Sequence, residues 1–234
     1  MPAQLVKLEA SPDLVDRVYR SLLDAISEGS LAPGQRITQE EIAEQLAVSR
    51  QPVLQALRLL KKDGFIQDVS TGVDASTKGR GILVAPLDAE WTRKIYEVRG
   101  ALDALAARLA AARRHRIDPS LIARGRAAAG DTHIKAMIDA DLAFHHAIYE
   151  ASGNPLISQI ADQYWCHLRR VMGAVLQASG QRDTVWDEHA AIADAIASGD
   201  GDRAANLIEQ HGRQASANLA QRLSQVLAPR TSTP

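Results

Sequence analysis

The 234-residue sequence holds one cysteine, Cys166. It can form no intrachain disulfide and no thiolate-based zinc site, as expected of a chain kept in a reducing cytosol. Aromatic residues are only 4% of the chain, whereas alanine, the best helix former, is abundant, and that balance argues against an all-β architecture. No apolar run approaches the roughly 18 residues that suggest a membrane span. The N-terminal MPAQLVKLEASPD also lacks the apolar region of a signal peptide. The expectation is a cytoplasmic protein that does not engage a membrane. An excess of one charge is missing too: 27 Lys and Arg face 28 Asp and Glu, for a net charge of −1, so binding to a polyanion must use a local patch.

What is present is ordinary globular material, 46% hydrophobic and 24% charged, in a length that suits two domains of about 100 to 200 residues each. The punctuation changes near Pro86. The expected division is a first domain over 1–86, a helical domain over 87–228 and a disordered tail over 229–234. The fold class is mainly all-α, with a winged helix-turn-helix and a small β-hairpin wing first and an antiparallel helical bundle second.

In the first domain, Ser11-Pro12 reads as a helix start, with Leu14, Val15, Val18, Leu22, Leu23 and Ile26 on one stripe. Thr38 and Glu41 have the capping-box spacing for a short helix ending near Leu46. Ser49 is the N-cap candidate of a third helix carrying Val53, Leu54, Leu57, Leu59 and Leu60 and ending at Asp63-Gly64. Phe65-Ile66-Gln67 and Gly81-Ile82-Leu83-Val84 then suggest two small strands around a polar hairpin tip. In the second domain, helices are expected over about 88–114, 118–129, 132–152, 155–178, 183–198 and 201–228. Asp88, Thr132 and Asp200 are their candidate caps.

Two constellations carry chemistry. Residues 49–62 hold Arg50, Arg58, Lys61 and Lys62 and no acid. A helix entering the major groove contacts bases with its N-terminal residues, and Ser49, Arg50, Gln51 and Gln55 are types that bond phosphate, guanine or adenine. Lys78 and Arg80 could reach a flanking minor groove or the backbone from the wing. The plain alternative is a solvated basic face on a protein-interaction module. The stretch GQRITQEEIAEQLAVSRQPVLQALRLLKKDG over 34–64, followed by GRGILVAP over 79–86, resembles the winged-helix domain of GntR-family transcriptional regulators. The resemblance implies a base or phosphate contact at Arg50. Where the family usually has Arg after Pro-Val, this chain has Leu54, so one usual DNA contact is absent.

The second constellation begins with Asp141, which shares an apolar helix face with His145 at i+4, among Met137, Ile138, Phe144 and Ile148. A buried unpaired carboxylate costs several kcal/mol, so Asp141 needs a cation, a metal or a strong hydrogen-bond partner. His189 and His211 also lie on inward stripes, and each stands roughly 15 to 16 Å along its helix from the turn at Gly199-Asp200. In an antiparallel hairpin they face each other. One Asp and three His suit zinc or another borderline divalent ion with one or two positions left open; each His could instead be a core residue satisfied by hydrogen bonds. His115, His133, His146 and His167 read as surface or structural residues.

Arg99 flanks a heptad-like seam of Trp91, Ile95, Val98, Leu102, Leu105 and Leu109, with Asp103 at i+4, which read plainly is a surface ion pair. The segments YEVRGALD over 96–103, DLAFH over 141–145, SGNP over 152–155, and Glu188-His189 through Gly199-Asp200 to His211 are similar to the FCD ligand-sensing domain of the FadR subfamily of GntR regulators. That resemblance implies a divalent metal on Asp141, His145, His189 and His211, zinc first with nickel or manganese as alternatives. It also implies that Arg99 binds the carboxylate of a small-acid effector; Trp186, Tyr164 or Trp165 could line the pocket.

The function expected is a ligand-responsive regulator, a repressor by preference. It would bind a pseudopalindromic double-stranded DNA operator as a homodimer. A metal-dependent enzyme acting on a small carboxylic acid is the rival reading, but no His-Glu-x-x-His, Gly-x-Ser-x-Gly or Gly-rich phosphate loop nominates a base or nucleophile. A purely structural metal is a third reading.

Overall fold

Pro12 opens the first helix because its fixed φ suits a first turn and its missing N–H costs nothing there. The computed structural model describes residues 12–69, 81–130, 133–179 and 184–227, and the chain divides into two units, 1–86 and 87–234. In the first unit α1 (Pro12–Ser27) precedes β1 (Arg36–Ile37), α2 (Gln39–Gln45), α3 (Arg50–Lys62), β2 (Ile66–Asp68) and β3 (Ile82–Val84). The three strands form an antiparallel sheet in the order β1-β3-β2. The sequence pattern suggests only the last two: a two-residue strand is too short to show an alternation. The hairpin tip, with Lys78 and Arg80, lies outside the described residues.

The capping box at α2 is complete, with the Glu41 amide donating to Thr38 Oγ1 and the Thr38 amide to the Glu41 carboxylate. Ala47 turns the chain between α2 and α3 at φ +52°. The core of this unit is Val18, Leu22, Ile26, Ile42, Val53, Ala56, Leu57, Leu60, Phe65 and Val84. Leu59 is exposed, because the buried stripe of α3 runs through 53, 56, 57 and 60 and leaves 59 off its edge.

The second unit holds, among the described residues, α4 (Ala89–Ala112), α5 (Pro119–Ala129), α6 (Ile134–Ser152), α7 (Pro155–Ser179), α8 (Val185–Ser198) and α9 (Gly201–Leu227). Asp88 caps α4 by accepting from the Glu90 and Trp91 amides, and Asp200 accepts from the Arg203 amide at the start of α9. Thr132 lies outside the described residues; His133 stands at the N-cap of α6. Helices α4 and α9 run antiparallel: Arg108 pairs with Asp202, while Arg93 shares a groove with Gln221 and Ser224. Phe144, Ile148, Leu168, Ile192, Ile196, Ile208 and Leu223 fill the core.

Helix α4 lies differently from its heptad reading. Ile95 is buried, but Trp91, Val98 and Leu105 are 53%, 48% and 45% exposed. The inward face is Tyr96, Arg99, Asp103, Ala106, Ala107 and Ala110. Small alanines let neighbouring helices approach closely, and that approach buries the charged pair while turning the larger apolar residues out.

Two consecutive arginines follow α4. Arg113 donates to the Ser152 carbonyl, and Arg114, at φ +48°, donates to the Ser198 carbonyl at 2.7 Å. These are the last carbonyls of α6 and α8, which a helix itself leaves without intrahelical partners. Gly153 and Gly199 follow them in the left-handed region, at φ +65° and +81°, where glycine alone is unstrained.

Candidate functional site

The α3 helix presents Ser49, Arg50, Gln51, Gln55, Arg58, Lys61 and Lys62 to solvent. Ser49 takes the extended N-cap conformation but makes no side-chain cap hydrogen bond. Arg50 pairs with Glu40, and its carbonyl accepts from Gln39 Nε2 at 2.6 Å, so the start of α2 holds the start of α3. With Lys61 and Lys62 in its last turn and no acid in its first, α3 is a basic, exposed, firmly seated helix.

In the second unit, α6 supplies Asp141 and His145 one turn apart, α8 supplies His189 and α9 supplies His211. One donor atom from each of the four lies within 4.8 Å of the others, and all four residues are buried. His189 Nε2 stands 3.3 Å from His211 Nε2 and 3.5 Å from Asp141 Oδ1. Phe144 stacks on the His189 ring at 4.2 Å, and Trp186 meets the same ring edge-on at 4.7 Å.

The chemistry of this cluster is that of a cation site. Burial, then the charge of Arg99, pushes His145 well below the ordinary histidine range, which keeps the ring neutral with a lone pair to give. Among the described residues, neither ring nitrogen of His145 has a hydrogen-bond partner. A wholly buried imidazole with both nitrogens unsatisfied is costly unless something takes the lone pair. His211 Nδ1 donates to Glu188 Oε2 at 2.8 Å, which leaves Nε2 as its electron-pair donor, the arrangement that orients metal-bound histidines. Three imidazoles and one carboxylate fit zinc, nickel or manganese.

A cavity of about 50 Å³ adjoins the cluster, lined by Tyr96, Arg99, Asp141, His211 and Arg222 with apolar walls including Met172 and Leu219. Arg99 reaches it from the protein interior: it and Asp103 are 3% and 2% exposed, with Arg99 Nε 3.1 Å from Asp103 Oδ2. The pair that the plain reading sets on the surface is therefore a buried one. Arg99 lies over the Trp165 ring, 4.1 Å from its centroid, and its Nη2 is buried with no hydrogen-bond partner among the described residues. Burial of the hydroxyl pushes Tyr96 up to about 12, so it stays a neutral donor. The aromatic residue on the cavity wall is Tyr96; Trp186 and Trp165 back His189 and Arg99 instead.

Sequence reasoning left Glu188 and Asp103 without a role at the cluster. A carboxylate one residue before His189 carries no spacing signal toward His211, and Asp103 looks alike whether its i+4 partner is exposed or buried.

Residues 94–214 match the FCD domain, and residues 14–72 match the gntR family of bacterial regulatory proteins. A Streptomyces ambofaciens protein, described as an uncharacterised HTH-type transcriptional regulator in an unstable DNA locus, is 29% identical over 84% of this chain and 80% of its own length. An Escherichia coli (strain K12) protein named for regulation of the L-lactate dehydrogenase operon is 30% identical over 86% of this chain and 83% of its own. Among solved structures, E. coli McbR/YncC superposes with a TM-score of 0.73 at 21% identity, covering 90% of this chain and 99% of that one. A GntR regulator from Rhodococcus sp. RHA1 gives 0.68 at 23%, covering 88% and 96%. A winged unit with an exposed basic helix, joined in one chain to a helical unit of this kind, makes the protein a member of the GntR family of transcriptional regulators, carrying an FCD ligand-binding domain.

Proposed function

We propose that the protein is a homodimeric repressor that binds a pseudopalindromic operator and is controlled by a short carboxylic acid acting with a divalent metal, zinc in the first instance. The winged domain, 1–86, reads DNA through Ser49, Arg50, Gln51 and Gln55, with Lys78 and Arg80 contributing from the wing. The domain over 87–228 holds the metal on Asp141, His145, His189 and His211, and Arg99 receives the acid. The ion supplies an electrophilic centre for a carboxylate oxygen. Arg99 supplies the planar donor edge that matches the carboxylate.

The observation that carries this reading is the buried three-histidine cluster beside a cavity that also holds an Arg with an unsatisfied Nη2. A cavity this size suits an acid of a few heavy atoms. The outward stripe of Trp91, Val98 and Leu105, spaced by seven, supports pairing of α4 with a second copy. Ligand acts by its differential affinity for the arrangements of the two winged domains that do and do not fit the operator.

Thermal shift on zinc-loaded and EDTA-stripped protein, against a panel of short carboxylic and hydroxy acids, tests the proposal. One or more acids raise the melting temperature only with zinc, and Arg99→Gln removes the response. Equal response of stripped and loaded protein, or an unaltered response in Arg99→Gln, refutes it.

A further inference from the structure

Asp103 is neither one of the four clustered donors nor the anion-binding arginine, yet it touches both. It sits on α4 one turn after Arg99, and three groups share its two oxygens. Oδ2 accepts from Arg99 Nε at 3.1 Å and lies 3.6 Å from His145 Nδ1, while Oδ1 accepts from Tyr149 Oη at 2.5 Å. Trp165 Nε1 backs the same tyrosine oxygen at 3.4 Å. The carboxylate is thus held from α4 and α6, with α7 behind, at 2% exposure.

A carboxylate beside one imidazole nitrogen decides which nitrogen carries the proton, because the N–H gains most where the negative charge is. Here the carboxylate faces Nδ1, and closing 3.6 Å to a hydrogen bond takes less than about 1 Å of movement. With the proton on Nδ1, the lone pair of Nε2 is left for the cluster, where the His145 ring already stands 5.4 Å from the His189 ring and 5.5 Å from the His211 ring. Glu188 does the same for His211. The same Asp103 oxygen holds Arg99 by Nε alone, leaving Nη2 as the unsatisfied edge of the guanidinium.

We propose that Asp103 is a positioning residue shared by the two arms of the sensor: it sets His145 in the Nδ1–H tautomer for metal binding, and it orients Arg99 for the acid. The inference rests on the metal reading proposed above. One oxygen serves both arms, so a charge placed on either alters the hold on the other, and by linkage the influence is mutual.

Zinc affinity, measured by competition with a chromogenic chelator on EDTA-stripped full-length protein, provides the test. Asp103→Asn weakens zinc binding 10- to 100-fold, the usual cost of losing a carboxylate behind a metal-bound histidine, and Asp103→Glu restores it to within a few-fold of the native value. The double variant Arg99→Gln/Asp103→Asn leaves no uncompensated charge at this pair and loses as much as Asp103→Asn alone. Long-range 1H–15N spectra of the zinc-loaded native protein place the His145 proton on Nδ1. Native-like zinc affinity in both Asp103→Asn proteins, or a proton on Nε2 in the native protein, overturns the inference. His145→Ala separates the two levels: if it abolishes zinc binding while Asp103→Asn does not, the assignment to Asp103 fails alone. If His145→Ala also binds normally, the metal reading fails with it.

Discussion

Gly125 sits buried in the interior of α5, where intrinsic propensity favours alanine over glycine by about 1 kcal/mol. Packing opposes that gain. A Cβ on Gly125 would stand 2.0 Å from Cη2 and Cζ2 of Trp186 and 2.2 Å from Cε2, far inside van der Waals contact, against a rigid and buried ring. Overpacking a dense core costs about 1 to 3 kcal/mol, and three short contacts with an indole that cannot bend belong at the upper end. The net expectation for Gly125→Ala is a loss of about 2 kcal/mol once propensity is subtracted. For a unit of this size that lowers the melting temperature by about 4 to 8 °C, read by circular dichroism on EDTA-stripped protein. The displaced ring also presses on His189, whose centroid is 4.7 Å away, so zinc affinity falls with it. Gly173→Ala is the matched control: that helix position has nothing within 4 Å of the added methyl, and the substitution raises the melting temperature. A Gly125→Ala protein that melts higher than native would refute the packing argument.

Other expectations follow from named contacts. Arg50→Ala lowers specific operator affinity by about 1 to 3 kcal/mol, measured by gel-shift titration at fixed salt, while Glu40→Gln, which removes a carboxylate paired with Arg50, strengthens binding to unrelated duplex; an unchanged affinity in Arg50→Ala would remove α3 from the interface. Arg99→Ala strands a buried Asp103 and costs about 3 to 5 kcal/mol in urea unfolding; a loss below about 1 kcal/mol would mean that water reaches that carboxylate. Gly153→Ala costs about 1 to 2 kcal/mol, because its φ of +65° penalises a Cβ and the added atom meets Arg113 Nη2 at 2.8 Å; a change under 0.5 kcal/mol, which surface substitutions typically give, would show the cap to be dispensable.

Features with a local cause are legible in the residues. The Thr38-Glu41 box declares the start of α2, since both partners lie within one turn. Counting along two helices from Gly199 sets His189 opposite His211, and their Nε2 atoms stand 3.3 Å apart. What stays hidden depends on neighbours distant in sequence. An Arg and Asp at i+4 look the same on a surface or in a core, and only the alanine-rich face of α4 decides in favour of burial. Glu188 and Asp103 find their histidines across helices, and the space behind Gly125 is defined by a tryptophan 61 positions later in the chain.

The arginine pair at the end of α4 has a mechanical consequence. A helix fastened through its last carbonyl cannot slide by a turn, but it can tilt about that point. His145 lies about 10 Å along α6 from Ser152, and His189 about 13 Å along α8 from Ser198, at 1.5 Å per residue. A tilt of about 5° about either fastening therefore sweeps the imidazole through about 1 Å. Bonds to a metal tolerate about 0.2 Å, so a bound ion would restrict that swing to about one degree and turn two hinged levers into a rigid frame.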